Sequence, residues 1–92
     1  MNIDFNNISD TYGDDIVNLI RDNVDDVMEN INYLKKLNIN CVDEIFEMYA
    51  IIFINTPSYF REKVNELINE LGSNYIDIIE NNLFVFEKLL FD

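Results

Sequence analysis

The 92-residue chain predicts an all-α fold, a compact bundle of four to five helices or a stack of helix-turn-helix repeats. Three observations carry that expectation. Apolar residues recur at spacings of three and four from Asp14 onward, the period of a helix face. Helix punctuation stands where the pattern breaks, above all Thr56-Pro57 before one apolar stripe and Gly72 after it. Residues 30–53 can also be laid over residues 63–86, superposing Ile31 on Val64, Leu34 on Leu67, Ile45 on Ile78 and Phe53 on Phe86.

Residues 1–12 are polar and uneven and read as a loosely ordered lead-in, with Ile3, Phe5 and Ile8 tucking onto the body. From Asp14 a stripe of Ile16, Ile20, Val24, Val27, Ile31 and Leu34 predicts helix. Unbroken to Leu37, it would hold roughly 24 residues and run about 36 Å, long for so small a domain. The alternative is a break near Asp22-Asn23.

Asn38 and Asn40 supply the next turn, with Asn40 as N-cap of a helix whose first turn carries Asp43 and Glu44. Its stripe is Val42, Ile45, Phe46, Tyr49, Ile52 and Phe53. The apolar run Tyr49 to Ile54 therefore reads as the end of this helix, despite its β-branched residues. Pro57 opens a helix that buries Phe60, Val64, Leu67, Ile68 and Leu71 and closes at Gly72. Ser73 or Asn74 caps the last helix, Tyr75 to about Leu90, with Ile76, Ile79, Leu83, Phe86 and Leu90 as its docking stripe. Ile78, Val85 and Leu89 then point elsewhere. Together with the left-over Met48, Ile51 and Ile54 they form a candidate apolar interface.

Eighteen acidic residues against six basic ones give a formal net charge of -12. Such a surface repels nucleic acid and anionic membranes, so the expected partner is a basic protein. With no histidine and one cysteine, zinc-finger ligation and catalytic triads are excluded. Cys41 reads as a buried thiol. Gly13 and Gly72 form no glycine-rich phosphate loop, and Asp10 to Ile20 lacks the order of a calcium loop. The expectation is a non-catalytic protein without metal or cofactor. The N-terminus lacks a basic flank and an apolar segment, which predicts a cytoplasmic protein.

The repeat resembles that of mitochondrial transcription termination factors, in which a helix ending in Leu-Gly leads to a second helix and an Asn-Pro-hydrophobic stop. Leu71-Gly72 and Leu37-Asn38 hold the first mark. Asn81 to Phe86 falls on the second, with Leu83 where proline is expected. The resemblance covers residues 30–90 and implies helical stacking. That family's binding of double-stranded nucleic acid implies a basic concave face, which this sequence lacks, so no binding residue carries over.

Residues 1–30 hold eight acidic residues against Arg21, seven of the twelve net negative charges. On one helix, Asp15, Asp22, Asp26 and Glu29 would share a side, with Asp25 adjacent. A four-residue step advances about 6 Å, close to the spacing of successive phosphates. A carboxylate column of that pitch can enter a Lys/Arg groove built for nucleic acid. In type, the chain resembles small acidic inhibitors made by phages and mobile genetic elements, including anti-CRISPR proteins and other DNA mimics. The competing expectation is a helical homodimer, or an immunity or antitoxin protein, working through the apolar set.

Overall fold

The computed structural model describes residues 5–90, and within them every regular element is helical. The order is α1 (Phe5–Tyr12), α2 (Asp14–Asp22), α3 (Val24–Lys36), α4 (Val42–Met48), a 3-10 segment (Ala50–Ile54), α5 (Pro57–Leu71), α6 (Tyr75–Asn81) and a second 3-10 segment (Leu83–Leu90). None of the described helices is long and apolar enough to cross a membrane.

The lead-in is more ordered than its polarity predicts, because residues 5–12 form α1 and Ile8 is buried in the core. Ile3 and the side chain of Phe5 lie outside the described residues. Gly13 separates α1 from α2 at φ 91, a left-handed conformation that costs glycine little. Tyr12 then ties this corner to α4, its Oη donating to the Glu47 carbonyl at 2.6 Å.

Helix α2 stops at Asp22 and α3 starts at Val24, so the long apolar stripe is carried by two helices. Asn23 makes the break. Its Nδ2 donates to the Leu19 carbonyl at 2.8 Å, and its own carbonyl accepts the Val27 N–H at 2.9 Å. A short amide side chain competing for the backbone in this way is why asparagine favours helix ends. Four of the six stripe residues, Ile20, Val27, Ile31 and Leu34, are fully enclosed as expected; Ile16 is half-buried, and Val24, at the break, is exposed.

Asn38 turns the chain at φ 66, and Cys41, rather than Asn40, occupies the N-cap position of α4. The α-helix ends at Met48, seven residues short of Asn55, and the chain tightens into the 3-10 segment. Tyr49 sits at φ -133, outside helical geometry. The sequence-predicted inward residues Tyr49, Ile52 and Phe53 are nevertheless all buried. Phe53 sits between Phe46 and Phe60, with ring centroids 5.3 and 5.2 Å away. At Thr56 the backbone is extended (ψ 146), as the residue before a proline requires, and Pro57 opens α5.

The offset of 33 residues recurs in the structure. Adding it to α4 (Val42–Met48) gives the bounds of α6 (Tyr75–Asn81), and adding it to Ala50 gives Leu83, where the second 3-10 segment starts. Each unit is thus a helix, a turn, a short helix and a 3-10 segment. Equivalent residues bury together: Val27 with Phe60, Ile31 with Val64, Phe46 with Ile79, Phe53 with Phe86. The register does not extend upstream, since the copy of α4 would fall on residues 9–15, where Gly13 divides two helices.

The final helix is likewise split. Asn81 Nδ2 donates to the Asp77 carbonyl at 2.8 Å, repeating the Asn23 device, and Asn82 Oδ1 accepts the Phe84 N–H at 3.2 Å. Beyond that point the 3-10 period of three replaces 3.6. Phe86 and Leu89 consequently share the inward side, and both are buried.

Candidate functional site

Asp15, Asp22, Asp25 and Glu29 are exposed and Asp26 is half-buried. The break at Asn23 divides them: Asp15 and Asp22 belong to α2, while Asp25, Asp26 and Glu29 belong to α3. The single-helix column is therefore corrected to an acidic elbow. Asp22, Val24, Asp25 and Asp26 line a shallow depression of about 240 Å³ at the bend itself. Asp25 and Asp26 also occupy the first turn of α3, where the positive end of the helix dipole favours carboxylates.

Among the five carboxylates, Glu29 alone has a charged partner within the described residues, Arg61 at 3.4 Å. That guanidinium also lies over the Tyr33 ring, 5.3 Å from its centroid. Both members of the pair are exposed, so it contributes at most about 1 kcal/mol. Leu19 and Val24, 44% and 39% exposed, sit amid the acids. Val24 continues the apolar stripe in sequence and is exposed because it opens α3 just beyond the break; Leu19 lies outside that stripe, on the outer side of α2.

A larger groove of about 600 Å³ runs beside α3, from Asp25 and Glu29 toward Lys35 and Lys36, with Arg61 of α5 beside Glu29 on its wall. Three of the chain's six basic residues meet there. Met28, Asn32 and Tyr33 complete its walls.

The sequence-predicted apolar set does not form one surface. Met48 and Ile51 are exposed, Ile54 and Val85 are half-buried against the core, and Ile78 is half-buried. Leu89, at 8% exposure, belongs to the core, because the 3-10 turn swings it inward. Among the described residues the most exposed large apolar side chain is instead Phe84, at 64%. Phe84 and Ile51, 49% exposed, occupy equivalent positions of the two units, the second residue of each 3-10 segment.

Cys41 is half-buried rather than buried, and burial pushes its thiol above the ordinary range; a bond to its own backbone opposes this, and the carboxylates of Glu80 and Glu44 add smaller upward contributions. The resulting protonated thiol is a poor nucleophile at neutral pH.

Fold and site together define an acidic all-α protein built on two helical units with an acidic elbow at their entrance. Comparison with protein-family models, with characterised proteins and with solved structures finds no match to the chain.

Proposed function

We propose that this protein is a non-catalytic inhibitor that occupies the basic, nucleic-acid-binding surface of a target protein, in the manner of anti-CRISPR proteins and other DNA mimics. The observation that carries the reading is the acidic elbow: Asp15, Asp22, Asp25 and Asp26 lack charged partners among the described residues, and the last three share one depression with the exposed Val24. Carboxylates steer a basic partner and fix its register, while an apolar contact at the centre of the patch supplies affinity that salt does not screen.

The test is affinity capture from lysate of the cells that make the protein, with native chain and with Asp22, Asp25 and Asp26 all changed to Lys. The native chain retains a nucleic-acid-binding protein and the reversed chain does not. Equal retention by both would remove the acidic elbow from the binding surface.

A second reading rests on Ile51 and Phe84. Two exposed apolar side chains at equivalent positions of successive repeats are what a helical assembly module, or an immunity or antitoxin protein, would present to a partner. Binding through them survives high salt and is lost in the Ile51→Ser/Phe84→Ser variant.

A further inference from the structure

Helix α3 is charge-polarised along one face. Asp25, Glu29, Asn32 and Lys36 follow at steps of four, three and four, and all four line the same groove. The acid end and the basic end are eleven residues apart, about 16 Å along the axis. Neither Asp25 nor Lys36 has an ion-pair partner within the described residues.

We propose that this face is a self-docking surface, and that its occupant is α3 of a second copy of the chain running antiparallel. A two-fold interface demands that the surface be complementary to itself. With the axis level with Asn30 and Ile31, Asp25 of each copy meets Lys36 of the other, and Glu29 meets Asn32. Both salt bridges and both Glu-Asn contacts form twice by symmetry. Met28 and Lys35 line the same groove, so that Lys35 of each copy lies near the acid end of the other. A basic foreign protein would match the Asp25 end and be repelled at Lys36; a second copy matches both.

One helix face of this length falls well short of the roughly 800 Å² per partner of a stable interface, so the dimer is weak. The twelve net negative charges on each copy also oppose it. At about 150 mM salt the Debye length is near 8 Å, so this long-range repulsion is screened while contact pairs survive. The inference is independent of the inhibitor reading, although the two compete for Asp25 and Glu29.

Sedimentation equilibrium at about 150 mM salt, extended to about 1 mM protein, tests it. The native chain shows a monomer–dimer equilibrium. Lys36→Glu and Asp25→Lys, each alone, raise the dissociation constant about tenfold or more, since each leaves two like-charged contacts. Mixing the two variants restores association as a 1:1 heterodimer, because Asp25 then faces Lys36 and Glu at 36 faces Lys at 25. A native chain that stays monomeric throughout, a Lys36→Glu variant that dimerises like the native chain, or a mixture that fails to associate overturns the proposal. Dimerisation abolished by Ile51→Ser/Phe84→Ser would overturn it too, by moving the interface to the 3-10 segments.

Discussion

Asn30 reaches from α3 into the junction before α5 and donates through Nδ2 to the Phe53 carbonyl at 3.0 Å. In a continuous helix that carbonyl would accept the N–H of residue 57, but residue 57 is proline and has none. The same nitrogen donates to the Asn55 carbonyl at 2.9 Å, so one amide group satisfies two backbone acceptors where the chain leaves the 3-10 segment. Asn30 is fully buried, the one polar residue so placed among the described core. Its Oδ1 has no partner among the described residues.

Removing the amide should therefore be costly. Asn30→Ala leaves the Phe53 carbonyl unsatisfied in the core and opens a small void, at a cost of about 2–3 kcal/mol. Urea unfolding followed by circular dichroism measures it, and a loss below about 0.5 kcal/mol would mean that the two bonds are dispensable.

Asn30→Asp separates charge from shape. Burial raises the carboxyl's folded-state pKa above its unfolded value, so the unfolded chain loses the proton first and stability falls as pH rises through the carboxylate range. Relative to the native chain, the variant should be most destabilised at pH 7 and recover toward about pH 4, where the unfolded carboxyl regains its proton. Unfolding midpoints of both chains across that range give the comparison; a pH-independent difference would contradict it.

The alkaline limb has its own prediction. Burial raises the hydroxyl of Tyr49, with Glu87 and then Tyr12 adding to the effect, and burial likewise raises Tyr12 against an opposing backbone bond at Ala50. Cys41 is raised as well. A folded pKa above the unfolded one gives stability that is complete below the unfolded value and lost as pH rises through the folded one. Unfolded thiols and phenols titrate near about 8.5 and about 10, so denaturant midpoints should hold to about pH 8 and decline above it. Tyr49→Phe should flatten the phenolic part of that decline, and an unchanged slope would count against burial of the ring hydroxyl as its cause.

Repeat equivalence can be tested at its aromatic anchors. Phe53→Ala and Phe86→Ala each empty a fully buried site and should cost about 3–5 kcal/mol, with Phe53 the dearer because it also contacts Phe46 and Phe60. Phe84→Ser, two residues before Phe86 at the exposed position of the repeat, should change stability by less than about 0.5 kcal/mol. Thermal or urea denaturation ranks the three.

The helical class, the buried stripes, the Thr56-Pro57-Gly72 helix and the 33-residue repeat were legible in the sequence because each rests on apolar period or on backbone chemistry local to a few residues. What escaped was decided by side chains bonding to backbone. Asn23 and Asn81 each capture a carbonyl four residues back and end a helix that the apolar pattern would continue. Asn30 looked like a polar residue beside a stripe, and only the approach of the Phe53 carbonyl makes it a core residue. Leu89, expected to point away from the core, turns inward, and Phe84, which no stripe singled out, stands exposed, because a period of three replaced one of 3.6 after Asn82. The candidate acids were found as residues; their arrangement as an elbow was not, since it depends on Asn23.

The most direct test of the inhibitor reading is displacement of labelled nucleic acid from the protein captured by the native chain, followed by fluorescence anisotropy as the chain is titrated in. Native chain should displace the nucleic acid stoichiometrically, with an affinity that falls as salt rises, and the Asp22→Lys/Asp25→Lys/Asp26→Lys variant should fail to displace it at any concentration. A ternary complex, in which the captured protein holds nucleic acid and the native chain together, would contradict the account.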